Sequence, residues 1–123
     1  MLPCDSPGRD ALMHRIRAED LPKTPLSRAF VGADQGDTGI CAYLVNAPPG
    51  KGPRAHHHPY DKVAFLQSGR ALWTVNGEEF EAGPGDILVV KAGEIHKFRA
   101  VGDTPLVQID VHLGPRFVQV NVE

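Results

Sequence analysis

Cysteine is scarce: Cys4 and Cys41 are the only two in the 123 residues, and no C-x-x-C pair occurs. Two thiols make no disulfide framework, so reduced cysteines and a cytoplasmic location are expected. Basic runs are missing too. Thirteen Lys and Arg stand against 15 Asp and Glu, for a formal net charge of −2, so no nucleic-acid partner is expected. No stretch approaches the roughly 20 apolar residues of a membrane span, and no membrane partner is expected. The first residues, MLPCDSPGRDALMHRIR, carry no apolar h-region, so no signal peptide is expected. No internal repeat or low-complexity tract appears.

What the chain does have is punctuation: 13 glycines and 11 prolines with short apolar runs between them. That pattern predicts many short strands joined by turns, in a sandwich or barrel. The length suits one domain with a core that needs no staples. Residues 1–25 read as an N-terminal arm. Leu12 and Ile16 lie four apart, as on a short helix, but Pro22 and Pro25 stop it. Residues 26–123 read as the barrel. Strands are expected at Ser27–Val31, at Ile40–Val45, along one extended run from His56 to Gln67, and at Asp86–Val90 as a buried strand. Further strands are expected at Ile95–Val101, Leu106–Leu113 and Phe117–Val122. Ala71–Val75 and Glu78–Glu81 flank Asn76-Gly77, the pair that favours a two-residue type I′ hairpin. Leu106–Leu113 alternates cleanly. Its apolar set, Val107, Ile109, Val111 and Leu113, is expected to pack, and Gln108, Asp110 and His112 to face a wetter side.

Three of the six histidines stand together at His56, His57 and His58. On an extended strand, side chains alternate between faces. His56 and His58 then share a face that Tyr60 and Lys62 continue, and His57 points away. Such an H-x-H pair can place two imidazoles on one ion. His96 follows on another strand after a glycine turn. Residues a few strands apart do converge on a barrel interior, although spacing alone does not bring His96 to the pair. Three neutral imidazoles suit Zn, Fe, Ni or Cu better than Mg or Ca.

These residues resemble the motifs of the cupins, small double-stranded β-helix (jelly-roll) barrels. The first cupin motif, G-x5-H-x-H-x3,4-E-x6-G, is matched in spacing by Gly50, His56, His58, Lys62 and Gly69, with lysine in place of glutamate. The second, G-x5-P-x-G-x2-H-x3-N, is matched by Gly85, Lys91, Gly93, His96 and Ala100, with lysine for proline and alanine for asparagine. The resemblance implies an all-β antiparallel jelly-roll barrel and a divalent transition metal (Fe, Zn, Mn, Ni or Cu) held by His56, His58 and His96. It also implies a small-molecule ligand or substrate, either with turnover (dioxygenase, isomerase or decarboxylase) or in a binding or sensing module. Tyr60, Lys62, Gln108 and His112 are candidate pocket residues, and a homodimer is the expected assembly.

Lys62 leaves three arrangements open. The site is a three-histidine centre with open positions; or Lys62 swings out and Asp61 or Tyr60 supplies an oxygen, which for Asp61 needs a bulge; or the ammonium replaces the metal's charge and the pocket takes an anion.

Overall fold

The computed structural model describes residues 14–123. The expected arm 1–25 therefore lies partly outside the described residues, Leu12 included. Ten strands follow in chain order: β1 (Ser27–Val31), β2 (Cys41–Ala47), β3 (His56–His57), β4 (Lys62–Ser68), β5 (Arg70–Val75), β6 (Glu78–Ala82), β7 (Ile87–Val90), β8 (His96–Val101), β9 (Leu106–His112) and β10 (Val120–Asn121). The only helical turn among the described residues is Ala18–Asp20. The strands form two five-stranded antiparallel sheets, β1-β2-β9-β4-β7 and β10-β3-β8-β5-β6. The jelly roll is as the sequence resemblance implied.

Local chemistry explains the turns that place the site. Asn76 and Gly77 both have positive φ, 49° and 86°, as a type I′ turn demands, and Val75 pairs with Glu78 across it. Val75 also pairs with His96, so this hairpin flanks the start of β8. In the loop before β3, a Cβ on Gly52 would lie 1.7 Å from the Phe98 carbonyl oxygen. Glycine there lets the loop lie flat against β8.

Four expectations need correction. The extended run from His56 to Gln67 is not one strand: β3 ends at His57 and β4 starts at Lys62. Pro59 lies in the gap, where it lacks the N–H that a continuing ladder would use, and the chain passes there from one sheet to the other. The Asp86–Val90 run is not a buried strand. β7 is an edge strand with Ile87 and Val89 60% and 61% exposed. The Phe117–Val122 run pairs only at Val120–Asn121. The fourth correction concerns β9, whose faces are reversed. Leu106, Gln108, Asp110 and His112 are buried, and Leu113 is 51% exposed. Where the barrel interior is polar, the usual inside-apolar assignment is reversed.

That interior is divided along its length. One end is an apolar core around Leu66, Ala71, Trp73, Ala82, Phe98 and Leu106. The other holds the buried polar side chains His56, His58, Lys62, His96, Asp110 and His112. Trp73 stands at the junction, stacked on Phe98 at 4.8 Å and parallel to the His96 ring at 6.2 Å.

Candidate metal centre

Strand pairing builds the site. His56 on β3 lies directly opposite His96 on β8, and His58 follows just beyond β3. The three rings sit 4.3 to 5.2 Å apart by centroid. One ligand nitrogen from each lies within 4.8 Å of the others. His57 points away, half-buried.

Each ring is held from behind. His56 Nδ1–H donates to the Arg54 carbonyl at 2.5 Å, His58 Nδ1–H to that of Val118 at 2.7 Å, and His96 Nδ1–H to that of Glu94 at 2.9 Å. A carbonyl only accepts, so the hydrogen sits on Nδ1 and each Nε2 carries a free lone pair. The Nε2 atoms of His58 and His96 are buried without a partner. Burial lowers the His56 pKa, and takes His58 down to about 4 and His96 to about 3, with the Lys62 charge adding to each shift. Neutral, oriented imidazoles with unsatisfied inward lone pairs are what a divalent transition ion requires.

Lys62 does not point out. Its Nζ lies 3.1 Å from Asp110 Oδ2, both side chains being almost fully buried. The ammonium sits 5.2 Å over the Trp73 ring and 5.4 Å over Phe98. Gln108 Nε2–H donates to Asp110 Oδ1 at 2.6 Å. Two of the three arrangements left open by the sequence thereby lose their footing. Asp61 accepts from Lys91 Nζ and from the Ala92 amide, on the surface and away from the rings. The Lys62 charge is matched by Asp110, so it is not free for an anion.

Of the four candidate pocket residues, Lys62 and His112 line a cavity of about 220 Å³ together with His56, Asp110 and Tyr43. Tyr60 and Gln108 stand behind it. Tyr60 contacts His112 Nδ1 through its hydroxyl at 2.8 Å, and Gln108 braces Asp110. His112 is buried, and burial followed by the Lys62 charge lowers its pKa to about 2. Sequence reasoning gave no site role to Asp110 or to Phe117 and Val118, which it placed only in strands. The strict alternation of β9 put Asp110 on one face with Gln108 and His112, which was the available signal. For Phe117, stacked on Tyr43 at 4.0 Å, there was none.

The family model for the cupin domain matches residues 43–112. The tetracenomycin polyketide synthase protein TcmJ of Streptomyces glaucescens is 32% identical over 65% of this chain and 52% of its own length. Polyketide synthase CurC of Streptomyces cyaneus is 31% identical over 83% of this chain and 63% of its own. The chain thus spans between half and two thirds of these relatives. Among solved structures, Bacillus subtilis oxalate decarboxylase superposes with a TM-score of 0.76 at 21% identity, over 87% of this chain and 31% of that one. Another structure of that enzyme is described for its Mn(II) centres.

Two outcomes follow from this geometry. Lys62→Met or Asp110→Leu alone strands a buried charge and is expected to cost about 3–5 kcal/mol in urea unfolding, whereas the double variant recovers most of that loss. A double-mutant cycle measures the coupling directly. The second outcome concerns acid. His58, His96 and His112 bind protons in the unfolded chain near the ordinary histidine pKa of 6.5, but in the folded chain only near about 4, 3 and 2. The unfolded state therefore holds more protons in that interval, and stability is lost as pH falls. Melting temperatures of metal-free protein are expected to be flat above about pH 7.5 and to fall progressively below it.

Proposed function

The chain belongs to the cupin family, and from that premise we propose that it is a metal-binding cupin whose three-histidine centre acts on a small carbonyl or carboxylate compound. The observation that carries this reading is the set of buried imidazoles locked through Nδ1, with orphaned Nε2 atoms on His58 and His96. His56, His58 and His96 would hold a divalent transition ion (Fe, Zn, Mn, Ni or Cu), and three nitrogen donors leave coordination positions for a ligand. Such an ion supplies Lewis-acid polarisation of a bound oxygen, or redox chemistry if it is Fe, Mn or Cu. The chain does the rest. Lys62 and Asp110 keep the cavity wall polar and neutral, and Tyr43 and the segment from Thr24 to Ser27 wall it on the other side. The two relatives named for polyketide synthesis support a carbonyl-bearing substrate. Oxygenation, isomerisation and decarboxylation are the reaction types within reach of this site.

A second reading, a binding or sensing module without turnover, is favoured by one observation. Where the cupin motif has a glutamate, this chain has Lys62, engaged by Asp110. Disappearance of a carbonyl substrate with product formation separates the two.

We further propose that a second copy of the chain covers the outer face of the sheet containing β9, β4 and β7. Val107, Ile109 and Val111, Val63 and Phe65, and Ile87 and Val89 face outward there without a charged residue among them. An isologous contact between such faces brings no like charges together. The buried free thiol of Cys41 supports a reducing cytoplasmic setting. No helix among the described residues is long and apolar enough to cross a membrane.

Tag-free protein loaded with each candidate metal is expected to retain close to one ion per chain by mass spectrometry, and His58→Ala to retain almost none. A wild-type chain that takes up no metal sinks the reading. Light scattering is expected to give twice the chain mass, and Phe65→Glu to halve it; a monomeric wild type removes the dimer.

A further inference from the structure

His112 is a fourth buried histidine beside the three-histidine centre, and its Nδ1 partner differs in kind from those of the other three. The His56, His58 and His96 Nδ1 atoms face carbonyl oxygens, which only accept. The His112 Nδ1 faces the Tyr60 hydroxyl at 2.8 Å. That hydroxyl already accepts from the Val118 amide at 3.1 Å. The hydroxyl hydrogen has no other hydrogen-bond acceptor among the described residues, and donation to His112 Nδ1 would satisfy it. An imidazole nitrogen that accepts carries no hydrogen, and in that arrangement the ring's hydrogen is on Nε2. The His112 Nε2 is buried and has no partner among the described residues. His112 lines the same cavity as His56, Lys62 and Asp110, and its ring is 4.6 Å from that of His58.

We infer that His112 is the ligand-binding donor of this cavity. It offers Nε2–H to an oxygen of a small carbonyl, enolate or carboxylate compound held beside the three-histidine centre, and Tyr60 fixes it in that role. It is not a fourth metal ligand, because the nitrogen facing the site carries a hydrogen in place of a lone pair. The inference rests on the metal-binding reading for the position of the ligand, but the tautomer of His112 does not depend on that reading. Tyr60 is a positioning residue. Its ring stacks on His58 at 5.2 Å and lies 5.3 Å from that of His112, so one phenol touches both a metal-binding candidate and the donor, and the Val118 backbone holds both His58 and Tyr60 in place. A buried donor without a partner costs free energy until an acceptor arrives, and that cost favours ligands that bring an oxygen to it.

Long-range proton–nitrogen correlation spectra of the metal-free, full-length protein labelled in histidine test the tautomers directly. The expected result is hydrogen on Nδ1 for His56, His58 and His96, and on Nε2 for His112. Tyr60→Phe is expected to remove the His112 preference and leave the other three unchanged. In calorimetric titrations of the metal-loaded chain with malonate, His112→Leu is expected to keep its metal and bind malonate about ten- to hundredfold more weakly, the worth of a hydrogen bond to a charged group. His112→Gln, whose amide N–H reaches near the Nε2 position, is expected to recover part of that affinity. Hydrogen on His112 Nδ1, or loss of metal from His112→Leu, overturns the inference. Should wild type take up no metal yet show the Nε2–H tautomer and bind malonate through His112, the metal reading falls and the donor assignment stands. If His112→Leu does not fold, the wild-type and Tyr60→Phe spectra decide alone.

Discussion

An ammonium inside a barrel of this size needs a carboxylate beside it, and Asp110 is that carboxylate. Lys62 on β4 and Asp110 on β9 meet at 3.1 Å with almost no exposure, on strands that pair directly. An unpaired charge there would repel protons from the rings and also pull anions and water into the cavity. With the pair formed, the polar end of the interior is close to neutral. The ammonium rests against the faces of Trp73 and Phe98, which join it to the apolar core. Gln108 takes the remaining carboxylate oxygen. Burial, helped by the Lys62 charge, keeps the four imidazoles beside it uncharged. At the position where the cupin motif has a glutamate, β4 carries Lys62, and the carboxylate beside it comes from Asp110 on the neighbouring strand β9.

The histidine cluster belongs to neither sheet alone. β3 and β8 present His56 and His96 from one sheet, β9 presents His112 from the other, and His58 and Tyr60 lie in the crossing segment between them. The crossing has few ladder bonds of its own. It is held by the amides of Gly93 and Leu113, which donate to the His58 and Asp61 carbonyls, and by the Val118 backbone, which accepts from His58 and donates to Tyr60. The geometry of the centre therefore depends on long-range contacts between separate parts of the chain.

Much of this was legible in advance, and the reasons are specific. Asn76-Gly77 announced its hairpin because few residues tolerate positive φ in succession. The spacing of His56, His58 and His96 against Gly50, Gly69, Gly85 and Gly93 pointed to the barrel. The face of β9 was read the wrong way round, because alternation shows which residues share a side and not which side is inside. Val107, Ile109 and Val111 look like core in any sheet with a dry interior. Here β9 turns Gln108, Asp110 and His112 inward and Val107, Ile109 and Val111 outward. Asp110 escaped notice for the same reason: a carboxylate on a supposedly wet face needs no partner. The break at Pro59 was hidden because His56, His58 and Lys62 all point inward whether or not the strand is continuous.

His58 and the carbonyl that orients it are 60 residues apart in sequence. As the chain leaves the ribosome, His56, His58 and His96 all emerge before residue 118 does. During that interval the metal-binding candidates are in the open, but His58 is free to spin and to present either nitrogen. Closure of β10 on β3 ends that freedom. The fixed orientation of His58 therefore depends on a part of the chain made 60 residues after it.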